Sequence, residues 1–227
     1  MYSQSEENYL KAIYHLEESS EKGVSTSKLS EELQTKAASV TEMLKRLAEK
    51  KLVNYQKYYG VSLTPEGKSW ALAIIRKHRL WEYFLVECLN FNWDEVHEVA
   101  EQLEHIQSKK LVEELDCFLG RPSFDPHGDP IPNAAGVLPE FKKRRLSECE
   151  VGDTLICKGF SDASSSFLQF LDQHKIGLDT LVSIKSIQEF DESMLVKVRK
   201  SEIMLSKTAT QNIFVEKNKE SKIKEKV

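Results

Sequence analysis

Residues 25–66 read STSKLSEELQTKAASVTEMLKRLAEKKLVNYQKYYGVSLTPE. Ser25 or Thr26 can cap a short helix that turns Leu29 and Leu33 inward. A break at 34–36 precedes a second helix over 37–50, with Val40, Met43, Leu44 and Leu47 as its apolar stripe. Residues 52–64 then alternate as two short strands around a turn at Tyr59-Gly60. Thr64-Pro65-Glu66 starts another helix, with a cap residue, a proline in the first turn and an acid near the positive end of the helix dipole. Helix, short turn, helix and two-stranded ribbon is the order of a winged helix-turn-helix unit.

In such a unit the second helix lies in the major groove, with its N-terminal residues nearest the base edges. Here that helix opens on Lys36, Ala37, Ala38, Ser39, Thr41 and Glu42. The two alanines permit close approach to a duplex. Ser39, Thr41 and Glu42 are short polar groups able to meet bases, while Lys45, Arg46 and the ribbon's Lys57 suit phosphates. Residues 34–68 carry seven basic side chains against three acidic ones, a net of +4, although the whole chain stands at -4. A basic face of this kind suits nucleic acid.

Outward from this core, residues 5–19 have a helical spacing of Tyr9, Leu10, Ile13, Tyr14 and Leu16. A long helix from Pro65 to about Cys88 turns Trp70, Ala73, Ile74, Leu80, Trp81, Phe84 and Leu85 to one side, and further helices are expected over 94–107 and 109–118. Residues 120–139 hold five of the six prolines and read as a loop. From Leu146 the texture changes to short β-rich runs interrupted by a helix over 165–172, which predicts a small antiparallel barrel. The expected domains are 1–66, 67–145, 146–216 and a lysine-rich tail, 217–227. The class is mainly α with small β parts. Four scattered cysteines make no C-x-x-C pair, and no apolar run of about 18 residues exists to span a membrane. A cytoplasmic protein is expected.

Residues 94–116 carry eight acids against two lysines, a net of -6, which suits a cation. On the expected helix from Asp94, the residues His97, Glu101, Glu104 and His105 fall at angles of about 0, 40, -20 and 80°. They therefore form one polar stripe. The preceding helix offers His78 and Glu82 one turn apart. Six carboxylates and imidazoles on two consecutive helices are a ligand set for manganese, iron or zinc.

Several strings together resemble the diphtheria-toxin-repressor and manganese-transport-regulator family: Glu7-Asn8-Tyr9-Leu10-Lys11-Ala12-Ile13-Tyr14, Leu63-Thr64-Pro65-Glu66-Gly67, Arg76-Lys77-His78-Arg79-Leu80 with Glu82, Val96-His97-Glu98, Glu104-His105, and Pro126-His127-Gly128-Asp129-Pro130-Ile131-Pro132. The resemblance covers nearly the whole chain. It implies a helical dimerisation domain after the winged unit and a C-terminal barrel of the Src-homology-3 type. It also implies a homodimer on a palindromic operator in double-stranded DNA, with reading helices about one DNA turn, roughly 34 Å, apart. Under it, Glu101, Glu104 and His105 look like a primary metal site, and His78, Glu82 and His97 like an ancillary one. Glutamate at Glu101, where iron-type members carry cysteine, favours manganese(II), with iron(II) next. Asn8 stands where relatives place a Met or Asp ligand, and Lys11 where some manganese-type members have a carboxylate. Asp125 or His127, from a loop that in several relatives begins with cysteine, is then expected to supply what Asn8 lacks.

The implied function is a metal-dependent transcriptional regulator, a repressor of metal-uptake genes. Two other classes compete. A metalloenzyme would use the same His/Glu cluster, but there is no H-E-x-x-H string, nucleophile elbow or glycine-rich phosphate loop. A metal-independent winged-helix regulator would leave the polar stripe as a solvated rim, which equilibrium dialysis with manganese distinguishes.

Overall fold

The structure, a computed structural model, describes residues 3–18, 23–56, 59–140 and 144–218. It forms two units, the first drawn from Met1–Trp81, Ala100–Arg121 and Ile131–Leu138, the second from Glu82–Val99, Pro122–Pro130 and Pro139–Val227.

The first unit opens with α1 (Gln4–Glu18), α2 (Thr26–Glu32) and α3 (Ala37–Glu49), followed by an antiparallel ribbon of β1 (Val53–Gln56) and β2 (Gly60–Leu63) in which Val53 faces Leu63. Ser25 caps α2, its hydroxyl accepting the Lys28 N–H. Leu10, Ile13, Leu29, Val40, Leu44, Leu47 and Leu52 meet in a core where each is fully buried, and burial of such a side chain stabilises by about 1.5–3 kcal/mol. Helix α4 (Pro65–Leu89) starts where Thr64 Oγ1 accepts the Gly67 N–H at 3.1 Å. Only glycine fits there, because a Cβ on Gly67 would run into the Leu52 carbonyl. That contact seats the first turn of α4 against Leu52, and the helix begins at the Thr64-Pro65 start expected from the sequence.

Two further helices follow, α5 (Val96–Leu103) and α6 (Lys109–Phe118), the latter capped by Ser108. Helix α5 is shorter than the expected 94–107. The Glu104 N–H still bonds the Ala100 carbonyl, but the Ile106 N–H turns to Leu103, which ends the helix in a tight turn. His105 therefore leaves the helical stripe on which the sequence placed it. Trp81 and Leu85 are buried, whereas Phe84 is only half-buried.

The second unit is built on an antiparallel sheet of β3 (Arg144–Arg145), β4 (Thr154–Phe160), β5 (Leu181–Ile187), β6 (Met194–Val198), β7 (Ser201–Leu205) and β8 (Ile213–Lys217), in the order β3-β8-β4-β5-β6-β7. Register shifts between Cys157 and Gly159 and between Ile184 and Ser186 break the ladder, as bulges that bend a sheet do. Leu155, Cys157, Leu168, Leu171, Val196, Leu205 and Ile213 are fully buried in its core. Helices α7 (Ser165–Gln173) and α8 (Lys207–Gln211) belong to the same unit. This is the expected mainly helical chain with a small antiparallel C-terminal domain. Of the lysine-rich tail, Lys217 ends β8 and residues 219–227 lie outside the described residues.

Candidate metal centres and nucleic-acid interface

Helix α3 presents the polar residues that the sequence assigned to DNA. Lys36, Ala37, Ala38, Ser39, Glu42, Lys45 and Arg46 are exposed. Thr41 is half-buried, and its hydroxyl donates to the Ala37 carbonyl at 3.0 Å. Arg46 is also engaged within the protein. Its Nη2 lies 3.3 Å from Glu6 Oε1, and Lys50 Nζ lies 2.6 Å from the same oxygen. Burial pushes the Glu6 carboxyl up, but the Lys50 hydrogen bond, the Ser3 backbone N–H and the charges of Lys50 and Arg46 outweigh it and hold Glu6 below its ordinary value. Lys57 lies outside the described residues.

In the first unit the carboxylate of Glu104 is wholly buried at the end of α5. Its Oε2 stands 2.6 Å from His78 Nδ1, on α4. Lys11 Nζ, from α1, lies 2.8 Å from both Glu104 oxygens and 3.3 Å from Glu101 Oε1. Burial pushes Glu104 up, yet the His78 hydrogen bond and the Lys11 charge bring it below its ordinary value. His105 reaches back to α1, its Nδ1 2.6 Å from Glu7 Oε2, while Gln107 Nε2 donates to Glu7 Oε1 at 2.9 Å. Burial pushes the Lys77 ammonium down against the upward pull of Glu7 and Glu104. Asn8 is exposed on α1, and Glu101 is half exposed.

The second unit holds a separate group. Glu82, Asp125 and His127 are all buried, and one ligand atom from each lies within 4.8 Å of the others. Glu82 stands between two imidazoles, with Oε1 3.4 Å from His97 Nδ1 and Oε2 3.8 Å from His127 Nδ1. His97 is largely exposed. The far side of His127 is fixed, since Nε2 lies 2.8 Å from the Trp93 carbonyl oxygen. An N–H donated there selects the tautomer whose Nδ1 lone pair faces Glu82, the arrangement typical of a ligating histidine. Asp125 Oδ1 accepts the N–H groups of His127 and Asp129, both at 2.9 Å, which ties the loop around the carboxylate. The loop turns at Gly128, where φ is +83° and a Cβ would strike the Lys158 carbonyl.

The donor set fits a divalent ion: carboxylates and imidazoles drawn together, with Glu82, Glu104, Asp125 and His127 buried and Glu101 and His97 at the exposed side. The stripe read from the sequence is divided between two places. Glu101, Glu104 and His105 gather with His78, Glu7 and Lys11 in the first unit. His97 stands beside Glu82, which gathers with Asp125 and His127 in the second. Sequence reasoning did not single out Glu7 as a partner of this cluster. The available signal was an acid at a position of α1 that is buried along with Tyr9, Leu10, Ile13 and Tyr14.

Residues 1–61 match the family described as iron dependent repressor, N-terminal DNA binding domain. Residues 64–133 match the one described as iron dependent repressor, metal binding and dimerisation domain, and residues 144–217 match the FeoA domain. A solved manganese-dependent transcriptional repressor in complex with manganese shares 38% identity at a TM-score of 0.84, over 94% of this chain and 100% of that one. The chain belongs to the iron-dependent repressor family. Among its curated relatives is the iron-dependent repressor IdeR of Mycobacterium tuberculosis, 35% identical over 138 residues, 59% of either chain. The chain thus spans less than two thirds of the length of that relative. It is also 37% identical over 117 residues to an uncharacterized HTH-type transcriptional regulator of Methanocaldococcus jannaschii, covering 52% of this chain and 94% of that one. In the repressor family's terms, α3 lies within the DNA-binding domain, and Glu82, His97, Glu101, Glu104, His105, Asp125 and His127 lie within the segment matching the metal-binding and dimerisation domain.

Proposed function

We propose that the protein is a metal-dependent transcriptional repressor that acts in the cytoplasm as a homodimer on a palindromic duplex, with manganese(II) as co-repressor and iron(II) next in preference. The observation that carries this reading is the pairing, in one chain, of an exposed α3 reading face with two carboxylate–imidazole clusters. Their donors are oxygen and nitrogen throughout. Glu101 and Asp125 are carboxylates where relatives carry cysteine, and hard oxygen donors suit manganese. No described helix is long and apolar enough to cross a membrane.

In the first unit, His78, Glu101, Glu104 and His105 are the ligands, with the Asn8 amide the neutral oxygen on α1 next to Glu7. In the second unit, Glu82, Asp125 and His127 are the ligands, with His97 at the exposed side. A bound ion supplies positive charge that lets neighbouring carboxylates converge. Glu7 orients His105, and the Trp93 carbonyl orients His127, so the chain presents imidazole lone pairs already aimed. Because Glu7 and Lys11 sit on the first helix of the DNA-binding domain, the state of the first cluster bears directly on how α1 is held. Coupling between ion and DNA is then reciprocal.

The test starts by selecting duplexes from a random pool in the presence of manganese(II). The selected duplex is then titrated by fluorescence anisotropy under chelator, manganese(II), iron(II) and zinc(II). Tighter binding under metal is expected, with manganese strongest. Equal affinity under chelator and under every metal would end the co-repressor reading.

A further inference from the structure

We propose that Lys11 is a resident counter-ion of the first unit's cluster, whose ammonium competes with the divalent ion for Glu104 and thereby sets the metal concentration at which that site fills. The inference rests on the reading of this cluster as an ion site. Lys11 Nζ lies 2.8 Å from both oxygens of Glu104 and 3.3 Å from Glu101. It stands where a cation shared by those carboxylates belongs. Glu104 has no exposed surface at all, so its charge needs a partner wherever it remains ionised. Lys11 and His78 provide that partner without any metal.

Two consequences follow. First, the cluster without metal is not a set of mutually repelling acids waiting for an ion. Its buried carboxylate, Glu104, already has a cationic partner, and at that carboxylate an incoming ion gains only the difference between its own attraction and that of the ammonium. Second, the ammonium has somewhere to go. Lys11 retains 14% side-chain exposure on α1, and a flexible four-carbon stem lets a lysine head reach solvent while its stem stays packed. A divalent ion brings two charges against one, so the exchange favours divalent over monovalent cations. Lys11 thus stabilises the metal-free protein and opposes the metal-bound one. A merely structural lysine would support both.

The experiment measures manganese(II) binding directly, by calorimetry and by loss of the free-ion electron paramagnetic resonance signal. The relevant phase is the one that Glu104→Gln removes. In Lys11→Met, which keeps the length and loses the charge, that phase should tighten about tenfold or more. The thermal midpoint should fall under chelator and fall less under saturating manganese. Lys11→Arg retains the charge and offers a planar fork to the same two Glu104 oxygens, so it should not tighten the phase. If Lys11→Met is folded under chelator only at low temperature, rescue by manganese supports the inference and failure of rescue opposes it. An unchanged or weaker phase in folded Lys11→Met overturns it while leaving the ion-site reading intact. A wild-type titration with no phase sensitive to Glu104→Gln fails the ion-site reading itself, and this inference with it.

Discussion

The imidazole of His127 lies nearly parallel to the indole of Trp93, with 6.1 Å between ring centroids and 12° between planes, and its Nε2 stands 2.8 Å from the Trp93 carbonyl oxygen. One residue therefore both stacks on the histidine and fixes its tautomer. The Trp93 Nε1–H donates to Asp172 at 2.9 Å, which anchors the indole in turn.

This makes Trp93 a reporter for its own unit. Manganese(II) is paramagnetic, and an ion on His127 Nδ1 would sit close to the stacked ring. Adding manganese should quench part of the intrinsic fluorescence. Trp93→Phe should remove that part and leave the signal of Trp70 and Trp81. His127→Ala should abolish the same quenching, whereas Glu104→Gln should not. Quenching that survives His127→Ala would remove the second unit's group from the ligand list.

Gly128 offers a test that leaves every ligand in place. Its φ of +83° is strained for any L side chain, and a Cβ would overlap the Lys158 carbonyl and crowd the Gly159 Cα. Gly128→Ala should destabilise the protein by about 2 kcal/mol or more, from the left-handed conformation and the clash together. Because the loop carries Asp125 and His127, manganese binding at the second unit should weaken at least tenfold, while the phase sensitive to Glu104→Gln stays unchanged. Equal loss of both phases, measured by calorimetry, would show that the loop does not act locally.

What was legible in the sequence divides along the range of the interactions. The Thr64-Pro65 start of α4, the Ser25 cap and the stripe Val40, Leu44, Leu47 were readable because caps and helical periodicity are encoded within a few residues. The end of α5 was not. Its polar pattern continues to His105, and only the turn after Leu103 shows that the stripe is broken. The pairing of Lys11 with Glu104, 93 positions apart, leaves no local trace either. Read alone, Lys11 marks a lost carboxylate; in the fold it is a cation placed on the remaining ones. Likewise Asp125 and His127 were expected to serve Asn8, whereas the structure sets them beside Glu82, because the loop's direction is decided at Gly128 by packing on β4.

Glu6 predicts a pH dependence. Lys50 and Arg46 hold its carboxyl below the ordinary value of 4.5. A carboxyl lowered by folding stabilises the native state above the unfolded value and loses that contribution as pH falls through the folded one. Glu6→Gln should therefore cost about 1–2 kcal/mol near pH 7, where both cations lose a charged partner. The gap between wild type and variant, measured by urea unfolding, should narrow as pH drops below about 4.5. A gap that stays constant down to pH 3 would assign the loss to packing rather than to charge.

The same ion pair separates two residues that the sequence treated alike. Lys45 and Arg46 were both expected to meet phosphates, and both are exposed on α3. Arg46, however, is 3.3 Å from Glu6, so contact with DNA must compete with an internal carboxylate. Each lysine or arginine that neutralises one phosphate adds about one unit to the salt slope of binding. Lys45→Ala should weaken binding to every duplex and shallow the slope by about one unit, while Arg46→Ala should shallow it by clearly less. Removing the competitor should release Arg46, so Glu6→Gln should tighten binding to all duplexes and steepen the slope. Ser39→Ala, with no charge to lose, should instead alter which bases the selected duplex tolerates and leave the slope alone. Anisotropy titrations across a range of potassium concentrations, on the selected duplex and on a scrambled one, read all four outcomes. An equal slope change for Lys45→Ala and Arg46→Ala would mean that DNA pulls the guanidinium off Glu6 at no cost. A slope change in Ser39→Ala would place the wrong end of α3 at the bases.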